Sequence, residues 1–142
     1  MGTHDLGQTL RANLPRGSRQ VTLFIPSRDK KGQQIDQEKW TREALRLLGR
    51  LFRGATAFPP GLGVWRDDAK AGKLLEEVTV IVTSYTNPAD HTPENLDELA
   101  VFLHRFGAEA HQGEVGIVVD DQYFGISKYA RARESQPKRR AR

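Results

Sequence analysis

The stretch 74-LLEEVTVIVTSY-85 constrains the chain more than any other, because Val78 to Thr83 are all β-branched. Such side chains are stiff at χ1 and suit a pleated strand better than a helix. Apolar residues fall on both parities of this strand, so it is expected to be central and covered on at least part of each face. A central strand needs a neighbour on each side, and the remaining sequence supplies them.

One neighbour is 20-QVTLFIPS-27, where Val21, Leu23 and Ile25 alternate against Thr22 and Phe24 until Pro26 stops the strand. A first helix follows. Asp36 is its expected N-cap, with Ile35 and Trp40 spaced as a hydrophobic staple. Trp40, Ala44, Leu47, Leu48 and Leu51 then share one face. Thr92-Pro93-Glu94 reads as N-cap, first helical position and first-turn acid of a second helix, with Leu96, Leu99, Leu103, Phe106 and Ala110 as its buried stripe and Gly113 as its terminator. The sequence 114-EVGIVV-119, Asp120-Asp121 and 122-QYFGIS-127 spells a hairpin. With a further strand through Gly63 to Trp65, the order predicts an α+β fold of the ferredoxin-like split βαβ kind: an antiparallel sheet with two helices on one face. Residues 19–127 are expected to form this single domain, between a flexible extension over 1–18 and a basic, disordered tail over 128–142.

The net charge of +4 belongs to that tail. Of the 22 cations, 15 precede residue 128, against 17 of the 18 anions, so the part before the tail carries −2. The chain has no cysteine, which excludes disulfides, thiolate nucleophiles and cysteine-based zinc sites. No apolar run reaches the roughly 18 residues of a membrane span, and the N-terminus lacks the order of a signal peptide, so a cytoplasmic protein without membrane contact is expected.

Four groups of residues carry candidate chemistry. The segment 56-TAFPPGLGVWRDD-68 joins prolines that stiffen the chain to glycines that permit unusual backbone angles. Its structural reading is a turn pinned by Trp65 over the first helix's core. Its functional reading is a rigid rim in which Phe58, Trp65, Arg66 and Asp67 hold a planar, anionic or nucleotide-like ligand. Lys39, Arg42, Arg46, Arg50 and Arg53 fall on the polar face of the first helix, where they suit either phosphate or plain solvent. Lys138, Arg139 and Arg140 in the tail are of the kind that contacts nucleic acid without sequence preference, and no interleaved aromatics accompany them.

The fourth group is hydrolytic. Glu76 and Glu77 enter the central strand with side chains on opposite faces, and His111, Glu114, Asp120 and Asp121 form the one cluster of histidine with carboxylates. His111 and Glu114 straddle Gly113 and share no clean helical face, so neither metal nor cofactor is expected. Gly61-Leu62-Gly63 is not a dinucleotide fingerprint, because it does not lead from a strand into a helix. Ser27, Ser84 and Ser127 lack a nucleophile-elbow context for a triad with His91, His104 or His111.

The run from Val21 to about Ile126, with its IPSRD opening, Trp40, FRGATAFPPGLGVWRDD and HQGEVGIVVDDQYFGI ending, resembles a group of small uncharacterised bacterial proteins. It is also distantly similar to a domain family of unknown function with a comparable W…F…T…G…W…E order. The resemblance covers about three-quarters of the chain, excludes the basic tail, and implies a bacterial, cytoplasmic α+β protein with no known activity, so no catalytic residues carry over. Together these readings favour a non-enzymatic binding module, forming a homodimer through its sheet, for an anionic or nucleotide-like ligand or nucleic acid. The alternatives are a small metal-dependent nuclease or hydrolase and an antitoxin-like partner of another protein.

Overall fold

The structure, a computed structural model, describes residues 5–14 and 17–130. The chain runs α1 (Leu6–Leu10), β1 (Arg19–Pro26), α2 (Gln37–Phe52), β2 (Thr56–Ala57), β3 (Gly61–Asp67), β4 (Lys73–Thr86), α3 (Pro93–Glu109), β5 (Val115–Val119) and β6 (Gln122–Ile126). All strands join one antiparallel sheet in the order β2-β4-β1-β5-β6, with β3 also on β4. The expected α+β class with an antiparallel sheet is what the chain forms.

Local signals act where the sequence places them. Asp36 accepts the Lys39 N–H at 3.1 Å at the start of α2, and Ile35 packs against the core to which Trp40 belongs. Thr92 accepts the Asn95 N–H at 3.1 Å at the start of α3. Asp120, at φ 57, turns the β5–β6 hairpin. Val21, Leu23 and Ile25 of β1, Val80 and Val82 of β4, and Val115 and Ile117 of β5 point to one side. There α2 and α3 cover them through Trp40, Leu48, Phe102 and Phe106, and the Trp40 and Phe106 rings meet edge to face at 5.0 Å. Burying such side chains stabilises the fold by roughly 1.5–3 kcal/mol each before chain entropy is charged.

Some elements depart from expectation. β4 is central, yet its first half, from Lys73 to Val78, extends past the helices and is half-exposed or exposed; the apolar residues on both parities mark a projecting ribbon rather than a strand sandwiched between two layers. Leu96 is exposed, and Phe102, which the expected stripe left out, is buried with Leu99, Leu103 and Phe106. α3 stops at Glu109, where Ala110 and then His111, at φ 51, break the helix before Gly113 is reached. Within the N-terminal extension, Asp5 caps the single turn of α1. At the other end Tyr129 and Ala130 lie against α3: the Tyr129 hydroxyl donates to the Gln112 carbonyl at 2.9 Å, and the Ala130 N–H to Nδ1 of His104 at 2.9 Å.

Candidate functional site

Among the described residues no layer covers the sheet face turned away from α2 and α3, and register decides what it displays. Gln20 faces Tyr85, Thr22 faces Thr83 and Phe24 faces Ile81 across β1 and β4, and Thr56 of β2 adds to the Thr83 row. The polar members are tied together. Gln20 Nε2 donates to Thr83 Oγ1 at 3.1 Å, the Thr22 and Thr83 hydroxyls are 3.1 Å apart, and Thr83 also reaches the Val21 carbonyl at 3.4 Å.

This row floors a groove of about 930 Å³. Phe58 and Tyr85 stand on its walls with their rings exposed. The turn after α2 closes one end, where Arg53, held at φ 78, meets Asp90 through Nε to Oδ2 at 3.0 Å. Hydrogen-bonding groups lie along the floor, aromatic faces along the sides and a guanidinium–carboxylate pair at the rim, the usual layout of a small-molecule site.

The segment 56–68 is a broken edge rather than a loop. Thr56–Ala57 pairs with Thr83 and Val82, and Gly61–Asp67 pairs with the stretch from Thr79 back to Lys73. Pro59-Pro60 interrupts the ladder between them, since proline has no N–H to give it. The interruption turns Phe58 into the groove, its own N–H donating to the Ile81 carbonyl at 2.9 Å. Trp65 does not pin a turn over the α2 core. It is 53% exposed on β3, away from the groove, because β3 lies beyond the reach of the helices. Arg66 pairs with Asp68 at 2.6 Å, and Asp67 accepts the Ala69 N–H at 3.1 Å to cap a short turn. Of the four residues grouped as a rim, only Phe58 lines the groove.

The hydrolytic candidates are dispersed. One oxygen of Glu77, Oε2, accepts from the Ser27 N–H, the Ser27 hydroxyl and the Arg28 N–H at 3.0, 3.1 and 3.1 Å, so it ties down the end of β1. Glu76 is exposed on the opposite face. Glu114 accepts the Tyr123 hydroxyl at 2.8 Å near one end of β5, whereas Asp120 accepts the Gln20 N–H at 3.3 Å beyond the other end, with Asp121 exposed next to it. His111 offers its carbonyl to the Lys30 N–H at 3.0 Å, beside Asp29, whose carboxyl is held below its ordinary value chiefly by the Gln33 N–H. Among the described residues no three histidine or carboxylate groups come together as a metal site.

The basic face of α2 is partly neutralised: Arg42 pairs with Glu38 at 2.8 Å, Arg50 with Glu98 at 2.7 Å and Arg53 with Asp90. Arg46 lines a shallow cleft between α2 and α3 with Asp97 and Glu98. That face presents mixed charge rather than a run of free cations. Lys138, Arg139 and Arg140 lie outside the described residues. No helix among the described residues is long and apolar enough to cross a membrane.

Sequence reasoning missed Gln20, Thr22, Thr83 and Tyr85. Their signal is present as polar residues on the second parity of β1 and β4, but it identifies a shared row only once the pairing is known.

No family model and no curated protein matches the sequence. Solved structures that resemble the fold include a phage SAM lyase in complex with S-methyl-5'-thioadenosine, at TM-score 0.59 and 13% identity, and a phage SAM lyase in the apo state, at TM-score 0.56 and 14% identity. Each alignment covers 82% of this chain and 94% of the other, and at such identities the resemblance is one of fold alone.

Proposed function

We propose that the uncovered sheet face binds a small nucleoside-like molecule in the groove between Phe58 and Tyr85. The observation that carries this reading is the hydrogen-bonded floor of Gln20, Thr22 and Thr83 set between two exposed aromatic rings. A nucleoside brings a planar base and a ribose with vicinal hydroxyls. The base suits the aromatic walls, and the ribose suits a floor whose hydroxyl and amide groups both donate and accept. Arg53 at the rim extends the choice to anionic or zwitterionic derivatives. The ligand named for the phage SAM lyase, S-methyl-5'-thioadenosine, belongs to this chemical class, which supports the reading for a chain of similar fold.

Calorimetric titration with S-methyl-5'-thioadenosine and with S-adenosylmethionine tests it. Saturable binding that weakens at least tenfold in Thr83→Val and in Tyr85→Ala is expected. Equal affinity in wild type and both variants removes the groove from consideration.

A second reading, catalysis on such a ligand, is favoured by the fold's resemblance to a lyase. Chromatography of S-adenosylmethionine incubated with the protein separates the two. A ligand that binds and stays intact makes the chain a binding module, and one that disappears in proportion to protein concentration makes it an enzyme.

A further inference from the structure

β3 pairs with β4 along one side, no described residue pairs with its other edge, and every residue from Gly61 to Arg66 is exposed. The stretch 61-GLGVW-65 carries no charge and no proline to blunt that edge. Register puts Leu62 opposite Val78, Val64 opposite Glu76 and Arg66 opposite Leu74 on the face continuous with the helix side. Leu62, Val64, Leu74 and Val78 on that face are 71%, 61%, 65% and 42% exposed. A two-stranded ribbon holding apolar side chains in water is marginal by itself, and such a patch marks a contact surface.

We propose that β3 pairs antiparallel with β3 of a second copy of this chain, with Val64 on the twofold axis, joining two sheets edge to edge. In that register Leu62 lies opposite the partner's Arg66, Gly63 opposite the partner's Trp65 and Gly61 opposite the partner's Asp67. No charge meets a like charge. The row through the axis reads Glu76, Val64, the partner's Val64 and the partner's Glu76. Its two carboxylates stand about 14 Å apart at ordinary strand spacing, beyond the ~10 Å screening length of physiological salt.

Gly63 provides the seat for the indole. A Cβ there would touch only the Glu77 carbonyl oxygen at 3.8 Å, so the surface above it is open to the partner's Trp65, an aromatic laid over a strand glycine. No β3 residue lines the groove, so the pairing is independent of the ligand.

Position 64 meets itself across the axis, and that permits a charge-swap test by sedimentation equilibrium on the full chain. Wild type is expected to dimerise. Val64→Lys and Val64→Glu, each with the wild-type circular dichroism spectrum, are expected to self-associate at least tenfold more weakly, and their equimolar mixture to recover the dimer. The chain has no cysteine, so a single Val64→Cys substitution provides a second readout, a disulfide-linked dimer under mild oxidation that Glu76→Cys does not form. A wild type that stays monomeric up to its solubility limit, variants that dimerise as tightly as wild type, or a mixture that stays monomeric would each overturn the proposal; so would a Val64→Cys chain that does not cross-link.

Discussion

Tyr123 donates its phenolic hydroxyl to Oε2 of Glu114 at 2.8 Å, above a pair of glycines that leave room for both side chains. Gly116 and Gly125 face each other across β5 and β6. A Cβ on Gly116 would strike the Tyr123 ring, and a Cβ on Gly125 would strike the Glu114 carboxylate. These glycines are therefore needed for space, since neither has a positive φ. Gly116→Ala, which meets the Tyr123 ring, is expected to cost about 1–3 kcal/mol through overpacking, and Gly125→Ala clearly less, because the Glu114 carboxylate it meets is the exposed end of a flexible side chain. Urea denaturation midpoints measure the loss, and a midpoint equal to wild type would show that the pair moves aside freely.

The same contact governs how Tyr123 titrates. Desolvation, then the hydrogen bond to Glu114 and its negative charge, pushes the phenol up to about 12. A folded value above the unfolded one means that the stabilising contribution is complete below about pH 10 and is lost as the pH rises toward the folded value. Ultraviolet difference titration of the phenolates is expected to show two late-ionising tyrosines, because burial and then the Glu114 charge push Tyr129 up as well, and Glu114→Gln to bring the latest ionisation earlier. A late transition unchanged in Glu114→Gln would remove the carboxylate as a cause.

Glu77 and Glu76 are adjacent in sequence and opposite in consequence. Removing Glu77 leaves the Arg28 N–H and the Ser27 hydroxyl without this acceptor, while the Ser27 N–H keeps the Val78 carbonyl at 3.0 Å, so Glu77→Ala is expected to lose about 1–3 kcal/mol. Glu76 is exposed on the other face, and Glu76→Ala is expected to stay within about 0.5 kcal/mol of wild type. Thermal unfolding of the two variants side by side checks the contrast; equal effects would mean that the three hydrogen bonds to Glu77 contribute nothing net.

What the sequence makes legible follows from how local each signal is. Asp36, Thr92 and the Asp120-Asp121 turn act within a few residues, so their caps and bends can be read directly. The core stripes of α2 and β1 are equally plain, because one face of each meets a single layer. Trp65 is harder. An aromatic among prolines and glycines looks like a turn anchor, but its exposure depends on how far β4 outruns the helices, a long-range length mismatch that no window of residues contains. The groove is hidden for the same reason. Thr22 and Thr83 are 61 residues apart and become a hydrogen-bonded pair only through the β1–β4 register.

Gly107 and Tyr129 form a second pair in which a glycine makes room for a ring. A Cβ on Gly107 would fall inside the Tyr129 ring, so the absence of a side chain on α3 is what lets residues 128–130 dock, with Tyr129 and His104 meeting edge to face at 6.2 Å. Tyr129→Ala removes the ring, and Gly107→Ala displaces it. Each is expected to cost roughly 0.5–3 kcal/mol and to speed hydrogen exchange at the Ala130 amide, whose acceptor is His104. Both act through one contact, so the double variant is expected to lose clearly less than the sum of the two, as coupled neighbours do. Strict additivity in a denaturation cycle, or an Ala130 amide that exchanges as slowly in either variant as in wild type, would mean that the segment is held by something other than this seat.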